Sequence, residues 1–109
     1  MSYDIYIHRN GELILIIGNY TSNVGAMYGA ASDGAWHDET RVPRYKDFPT
    51  REFLPIGRQI VTIMARDPER FESMDPENGW GDYDGALAYM VRIVTACEDF
   101  PEDMLYISS

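Results

Sequence analysis

The sequence predicts an α+β fold, a small antiparallel sheet made of an N-terminal hairpin and a C-terminal strand and packed against two main helices. Three observations carry that expectation. Asn10-Gly11 stands between two apolar runs, Thr50–Arg66 and a segment from about Asp84 to Glu98 repeat apolar residues at helical spacing, and a short apolar run, Met104–Ile107, follows Pro101. At 109 residues with 45% hydrophobic and 13% aromatic side chains, the chain fits one domain over residues 1–109, with enough apolar mass for a two-layer core.

Ser2 to Gly18 is the hairpin. Asn-Gly favours the positive φ values of a two-residue type I′ turn, and counting outward pairs Arg9 with Glu12, Ile7 with Ile14 and Ile5 with Ile16. That register puts Ile5, Ile7, Ile14 and Ile16 on one face and Tyr6, His8, Leu13 and Leu15 on the other. His8, opposite Leu13, is expected at the sheet edge and not on a metal, since no second ligand stands at a suitable spacing. Asn19-Tyr20-Thr21-Ser22-Asn23 comes next, and has two readings: polar groups lining a pocket mouth, or Asx turns and a cap leading into a short helix through Met27 and Tyr28. Gly29 to Asp47 shows no period and suggests a long functional loop or one ordered only by a partner. His37-Asp38-Glu39 lies there as solvated loop, because three adjacent residues converge poorly on one ion.

Thr50 to Arg66 has Pro55 early and Ile56, Ile60, Ile63 and Met64 in register, which predicts a helix. Asp67-Pro68 ends it and starts another as N-cap and first residue. The last helix carries one stripe of Leu87, Met90, Val91, Val94 and Cys97 and a second of Ala86, Tyr89, Ile93 and Ala96. A helix so apolar all round is central to the domain or part of a subunit interface, so a homodimer or higher homo-oligomer is expected. The predicted core joins Ile5, Ile7, Ile14 and Ile16 to Leu87, Val91 and Val94.

Charge is uneven along the chain. Of the 18 acidic and 9 basic side chains, residues 1–66 hold seven of each, and residues 67–109 hold eleven acidic against two basic. The net −9 therefore belongs to the C-terminal part. Direct nucleic-acid binding is disfavoured, because neutralising phosphates needs a basic face. A small anion held by arginines of the middle segment, such as Arg41 and Arg44, is compatible with the pattern. No apolar run is long enough to span a membrane and the N-terminus lacks a signal-peptide pattern, so a cytoplasmic protein is expected. The single Cys97 falls within a helical apolar pattern, as a small core residue does.

The densest signal is Asn78-Gly79-Trp80-Gly81-Asp82-Tyr83-Asp84-Gly85, in which three glycines alternate with two large aromatics and two carboxylates before an apolar helix. A capping loop needs one glycine and one Asp, and gives no reason for the Trp. Asp82 and Asp84, two residues apart, are explained as caps and dipole partners of that helix. No phosphate loop, zinc spacing or nucleophile elbow appears, so neither a catalytic residue, a metal nor a cofactor is expected.

Ser2-Tyr3-Asp4-Ile5, Asn19-Tyr20-Thr21-Ser22-Asn23-Val24 with Met27-Tyr28, and the Asn78–Gly85 run into a Leu/Ala helix resemble a family of small uncharacterised proteins of bacteriophages and actinobacterial genomes. The similarity spans most of the chain except Gly29 to Pro49. It implies a phage or mobile-element setting, the host cytosol, where small proteins counter host defences by sequestering a nucleotide signal or blocking a defence protein. It carries over no catalytic residue.

Together these features predict a non-catalytic binder of a small nucleotide-like ligand. Trp80 and Tyr83 stack on a planar group, Asn19, Tyr20, Thr21, Asn23, Asn78 and Asp82 meet its polar edges, and Arg41 and Arg44 pair with phosphates. The first alternative is an acidic inhibitor that presents carboxylates to a basic, nucleic-acid-binding defence protein; the second is a small hydrolase of a nucleotide signal.

Overall fold

In the computed structural model, which describes all 109 residues, Asn10 and Gly11 adopt φ of 52° and 80° and turn the chain between β1 (Ser2–Arg9) and β2 (Glu12–Thr21). Arg9 faces Glu12 and His8 faces Leu13, as the turn requires. The register then slips twice, so that Ile7 pairs with Leu15 and Ile5 with Gly18, in place of Ile14 and Ile16. Each slip is a bulge that leaves one extra residue on β2 and turns the side chains after it to the opposite face. Ile17 is buried in consequence, Ile14 is half-buried, and Ile16, expected in the core, is 60% exposed. The second bulge is held from the last helix of the chain. The Arg92 guanidinium donates to the Ile17 carbonyl, the Tyr89 hydroxyl donates to the Gly18 carbonyl at 3.1 Å, and Gly18 sits at φ 120°, which a side chain would strain.

A four-stranded antiparallel sheet forms around β1 in the order β2-β1-β4-β3. The C-terminal strand β4 (Met104–Ser108) returns to the hairpin as expected, pairing His8 with Met104 and Asp4 with Ser108. The three-residue β3 (Asp47–Pro49) adds outside it. His8 is therefore on a central strand and not at the sheet edge, and its Nδ1 lies 3.0 Å from Asp47 Oδ1. Tyr3, Ile5, Ile7, Leu105 and Ile107 face the helices and are buried.

Helix α1 (Gly25–Ala31) follows a 3-10 turn at Ser22–Val24, whose cap is the Thr21 hydroxyl accepting from the Asn23 N–H at 3.3 Å. Helices α2 (Thr50–Arg66), α3 (Pro68–Glu72) and α4 (Tyr83–Asp99) take the predicted positions. Asp67 caps α3, and the Asp82 carboxylate caps α4 through the Gly85 N–H at 2.8 Å. α4 buries Ala86, Tyr89, Met90, Ile93, Val94, Ala96 and Cys97, whereas Leu87 is half-buried and Val91 is 43% exposed. The second apolar stripe is wholly buried, as are Met90, Val94 and Cys97 of the first, because Tyr89 reaches the bulge of β2 and the small Ala86 and Ala96 admit neighbouring elements. Burial among these side chains pushes the Cys97 thiol up to about 12.

The segment between α1 and β3 is ordered by the chain's own core. Trp36 and Val42 are buried and joined by a parallel bridge, and the Ser32 hydroxyl links the Trp36 N–H (3.0 Å) to the Tyr28 carbonyl (2.7 Å). At the other end of the sheet Arg9 grips the buried Asp103 with two bonds of 2.8 and 3.0 Å, which holds that carboxyl below the usual range.

Candidate ligand-binding recess at the Trp80 loop

The loop between α3 and α4 is pinned on both sides of its tip. The Tyr83 N–H donates to Asp75 Oδ1 at 2.8 Å, and the Asp82 N–H donates to the Tyr20 hydroxyl at 3.2 Å. Between those anchors the Asn78 side chain accepts from the Trp80 N–H at 2.9 Å, closing an Asx turn, and Gly79 and Gly81 adopt φ of 74° and 93°. Gly81 is needed for a second reason: any Cβ there would collide with the Thr21 methyl and press on Val24, so only glycine lets the loop lie against the end of β2. The backbone, and no core packing, sets the indole in place, and Trp80 is 69% exposed.

Beneath that indole is a recess of about 300 Å³, lined by Met1, Ser2, Thr21, Asn23, Asn78 and Trp80. Its wall is the paired ends of β1 and β2, where Ser2 faces Thr21 and the Ser22 N–H donates to the Met1 carbonyl at 3.0 Å. One large aromatic, two amide and two hydroxyl side chains therefore border one space, a composition suited to a planar group with polar edges. The lining side chains carry no carboxylate, guanidinium, imidazole or thiol.

Of the residues expected at a ligand, the structure brings Thr21, Asn23, Asn78 and Trp80 together. Asn19 pairs with Asp4 and is exposed on the sheet face turned away from the helices. Tyr20, Asp82 and Tyr83 belong to the scaffold. Tyr20 packs 5.6 Å from Tyr89, Asp82 is the α4 cap, and Tyr83 is buried with its hydroxyl donating to the Met64 carbonyl at 2.7 Å. Arg41 bonds to the Asp33 carbonyl and to Asp38, while Arg44 reaches Ser109 and the Tyr45 ring, so neither guanidinium lines the recess. Sequence reasoning missed Ser2, whose position depends on the bulges. The strand pairing itself is the only signal that places it.

A second polar group lies behind the sheet end. Trp36 Nε1–H donates to the Tyr3 hydroxyl at 2.9 Å, His37 Nε2 lies in hydrogen-bond contact with the same hydroxyl at 3.0 Å, and His37 Nδ1 is buried without a partner. Burial, with the Arg44 charge nearby, lowers the His37 imidazole to about 4. His37 was expected as solvated loop, and the ring is instead packed 4.8 Å from Trp36 and 5.3 Å from Tyr3.

No family model, curated protein or solved structure matches the chain. No helix is long and apolar enough to cross a membrane.

Proposed function

We propose that the protein binds a small nucleotide-like molecule in the Trp80 recess and releases it unchanged. The observation that carries this reading is the 69% exposed indole held by its own backbone turn over a polar recess of about 300 Å³. A large aromatic left in water at such a position gains about 1–3 kcal/mol by stacking on a base. Thr21, Asn23 and Asn78 supply donors and acceptors for the edge of the stacked ring. Because no lining side chain is cationic, the planar end of the ligand is the part that the side chains recognise, and any phosphate extends beyond them. The lining hydroxyls of Ser2 and Thr21 have no carboxylate, imidazole or amine side chain beside them in the recess to activate them, which favours retention over turnover. Sequestration of a host signal in a phage setting rests on the sequence resemblance alone.

The test is calorimetry against nucleosides, mononucleotides, cyclic dinucleotides and cyclic ADP-ribose-type molecules, with the mixture analysed afterwards by mass spectrometry. Saturable binding with the compound recovered intact is expected. Conversion to product would replace this reading with a hydrolase.

One observation favours a second reading, an acidic surface for a basic partner. Glu72, Asp75, Asp82 and Asp84 gather around Tyr83 beside the same loop. Asp75 and Asp82 are occupied as acceptors of backbone N–H groups, which leaves Glu72 and Asp84 for a partner and ranks this reading second.

A further inference from the structure

The outer ridge of α4 is left bare by the fold. Val91, 43% exposed, and Thr95 stand between two grooves, one of about 350 Å³ against β2 with Ile16 on its wall and one of about 320 Å³ against α2 with Val61 on its wall. Ile16, paired with Tyr6 and 60% exposed, stands at the outer rim of the first groove, and the half-buried Leu15 lines it on the helix side. A ridge with a groove on each side is complementary to another ridge of the same kind.

Charge identifies the occupant. The grooves hold two cations, Arg58 and Arg92, and two anions, Glu98 and Asp99, on a chain with twice as many acidic as basic side chains. Residues 67–109, with eleven acidic and two basic side chains, present like charge over most of their surface to a second copy, and this balanced patch does not. Arg58 and Glu98 neutralise each other at 2.9 Å. What remains is Arg92, bonded only to a backbone carbonyl, toward one end of the ridge, and Asp99, with no hydrogen bond or ion pair, toward the other. The two are seven residues apart and line the same groove, which places them on one helix face with Thr95 and Ala96 midway. An antiparallel α4 related by a twofold axis near Thr95 sets Arg92 against Asp99 of the other copy and vice versa, with the short Thr95 side chain at the crossing and Ala96 buried beneath it.

We infer that the protein forms a twofold homodimer through the α4 ridge, with Val91 of each copy seated in the groove beside α4 of the other. This surface does not include the Trp80 recess, so the inference stands apart from the ligand reading. The test is sedimentation equilibrium from nanomolar to near-millimolar protein, on the wild type and on Val91→Glu, Ile16→Glu, Asp99→Arg and Leu13→Glu. The wild type should move from monomer to dimer mass. Val91→Glu and Ile16→Glu should remain monomeric at least a hundredfold above the wild-type midpoint, with far-ultraviolet circular dichroism unchanged. Asp99→Arg should shift the midpoint upward by tenfold or more, and Leu13→Glu, 53% exposed near the hairpin turn, should behave as wild type. A wild type that stays monomeric overturns the inference, as does a dimer that survives Val91→Glu and Ile16→Glu or one that Leu13→Glu dissociates.

Discussion

Replacing Trp80 with Ala separates a ligand-facing indole from a structural one. A fully buried large aromatic removes about 150–250 Å² from water. Trp80 is 69% exposed, so roughly a third of that, about 50–80 Å², is hidden by the fold, and at about 25 cal/mol per Å² its loss costs about 1–2 kcal/mol at most. The Asx turn that shapes the tip uses the Asn78 side chain and the residue-80 backbone N–H, both of which the Ala variant keeps. Binding should suffer more: stacking worth about 1–3 kcal/mol weakens affinity by about 5-fold to 150-fold. The assay pairs urea denaturation with calorimetric titration of the nucleotide panel on both proteins. As an internal standard, Trp36→Ala removes an indole that is 5% exposed and bonded to the Tyr3 hydroxyl, and should cost about 3–5 kcal/mol. If Trp80→Ala loses as much stability as Trp36→Ala, or binds every ligand as the wild type does, the assignment of Trp80 to a ligand is refuted.

Gly81→Ala should destabilise by about 1–3 kcal/mol in a denaturant melt, from a positive φ compounded by the collision with Thr21, whereas Gly79→Ala, with the same sign of φ but open space around it, should cost about 1 kcal/mol. On acidification stability should fall in two stages. The His37 value lies below the 6.5 of a free imidazole, so its contribution is present above pH 6.5 and is lost as pH drops toward 4; Asp103, held below 3.8, adds a loss only as pH falls further through its folded value. Equilibrium melts against pH should show the upper stage vanish in His37→Asn, since Asn tolerates the φ of 69° there, and the lower stage vanish in Arg9→Met. Cys97, buried with its thiol raised to about 12, should react with a thiol reagent at neutral pH only at the rate of unfolding, followed by absorbance with and without denaturant.

Much of the fold was legible because local rules agreed with one another. Asn10-Gly11, the Asp67-Pro68 boundary, the Asp82 cap and the period of α2 each name a position without reference to the rest of the chain. What failed was whatever depended on a distant partner. The bulge at Ile17 is held by Arg92 and Tyr89, and without the two bulges the hairpin count places Ser2 opposite Asn19 instead of Thr21. The same shift removed Ile16 from the core. β3 has only three residues and exists as a strand through β4, so nothing in its own sequence announces it. At the site, the loop motif identified Trp80 and Asn78, but composition could not tell Tyr83, whose hydroxyl finds the Met64 carbonyl, from an aromatic facing a ligand. Arg41 and Arg44 were close to the expected site only in the sense that both lay in one polar segment.

The two bulges of β2 also determine what can lie beside it. β2 is the outermost strand of its side, and Leu13 to Ile17 is a run of five consecutive aliphatic residues, the combination that recruits strands from other molecules into a growing sheet. An incoming strand would lose ladder register at Ile14 and again at Ile17, and the Ile17 carbonyl is already taken by Arg92. The irregularity that disturbs the hairpin thus guards its margin against fibril growth, and at its second bulge that protection rests on Arg92 and Tyr89, five elements away in the chain.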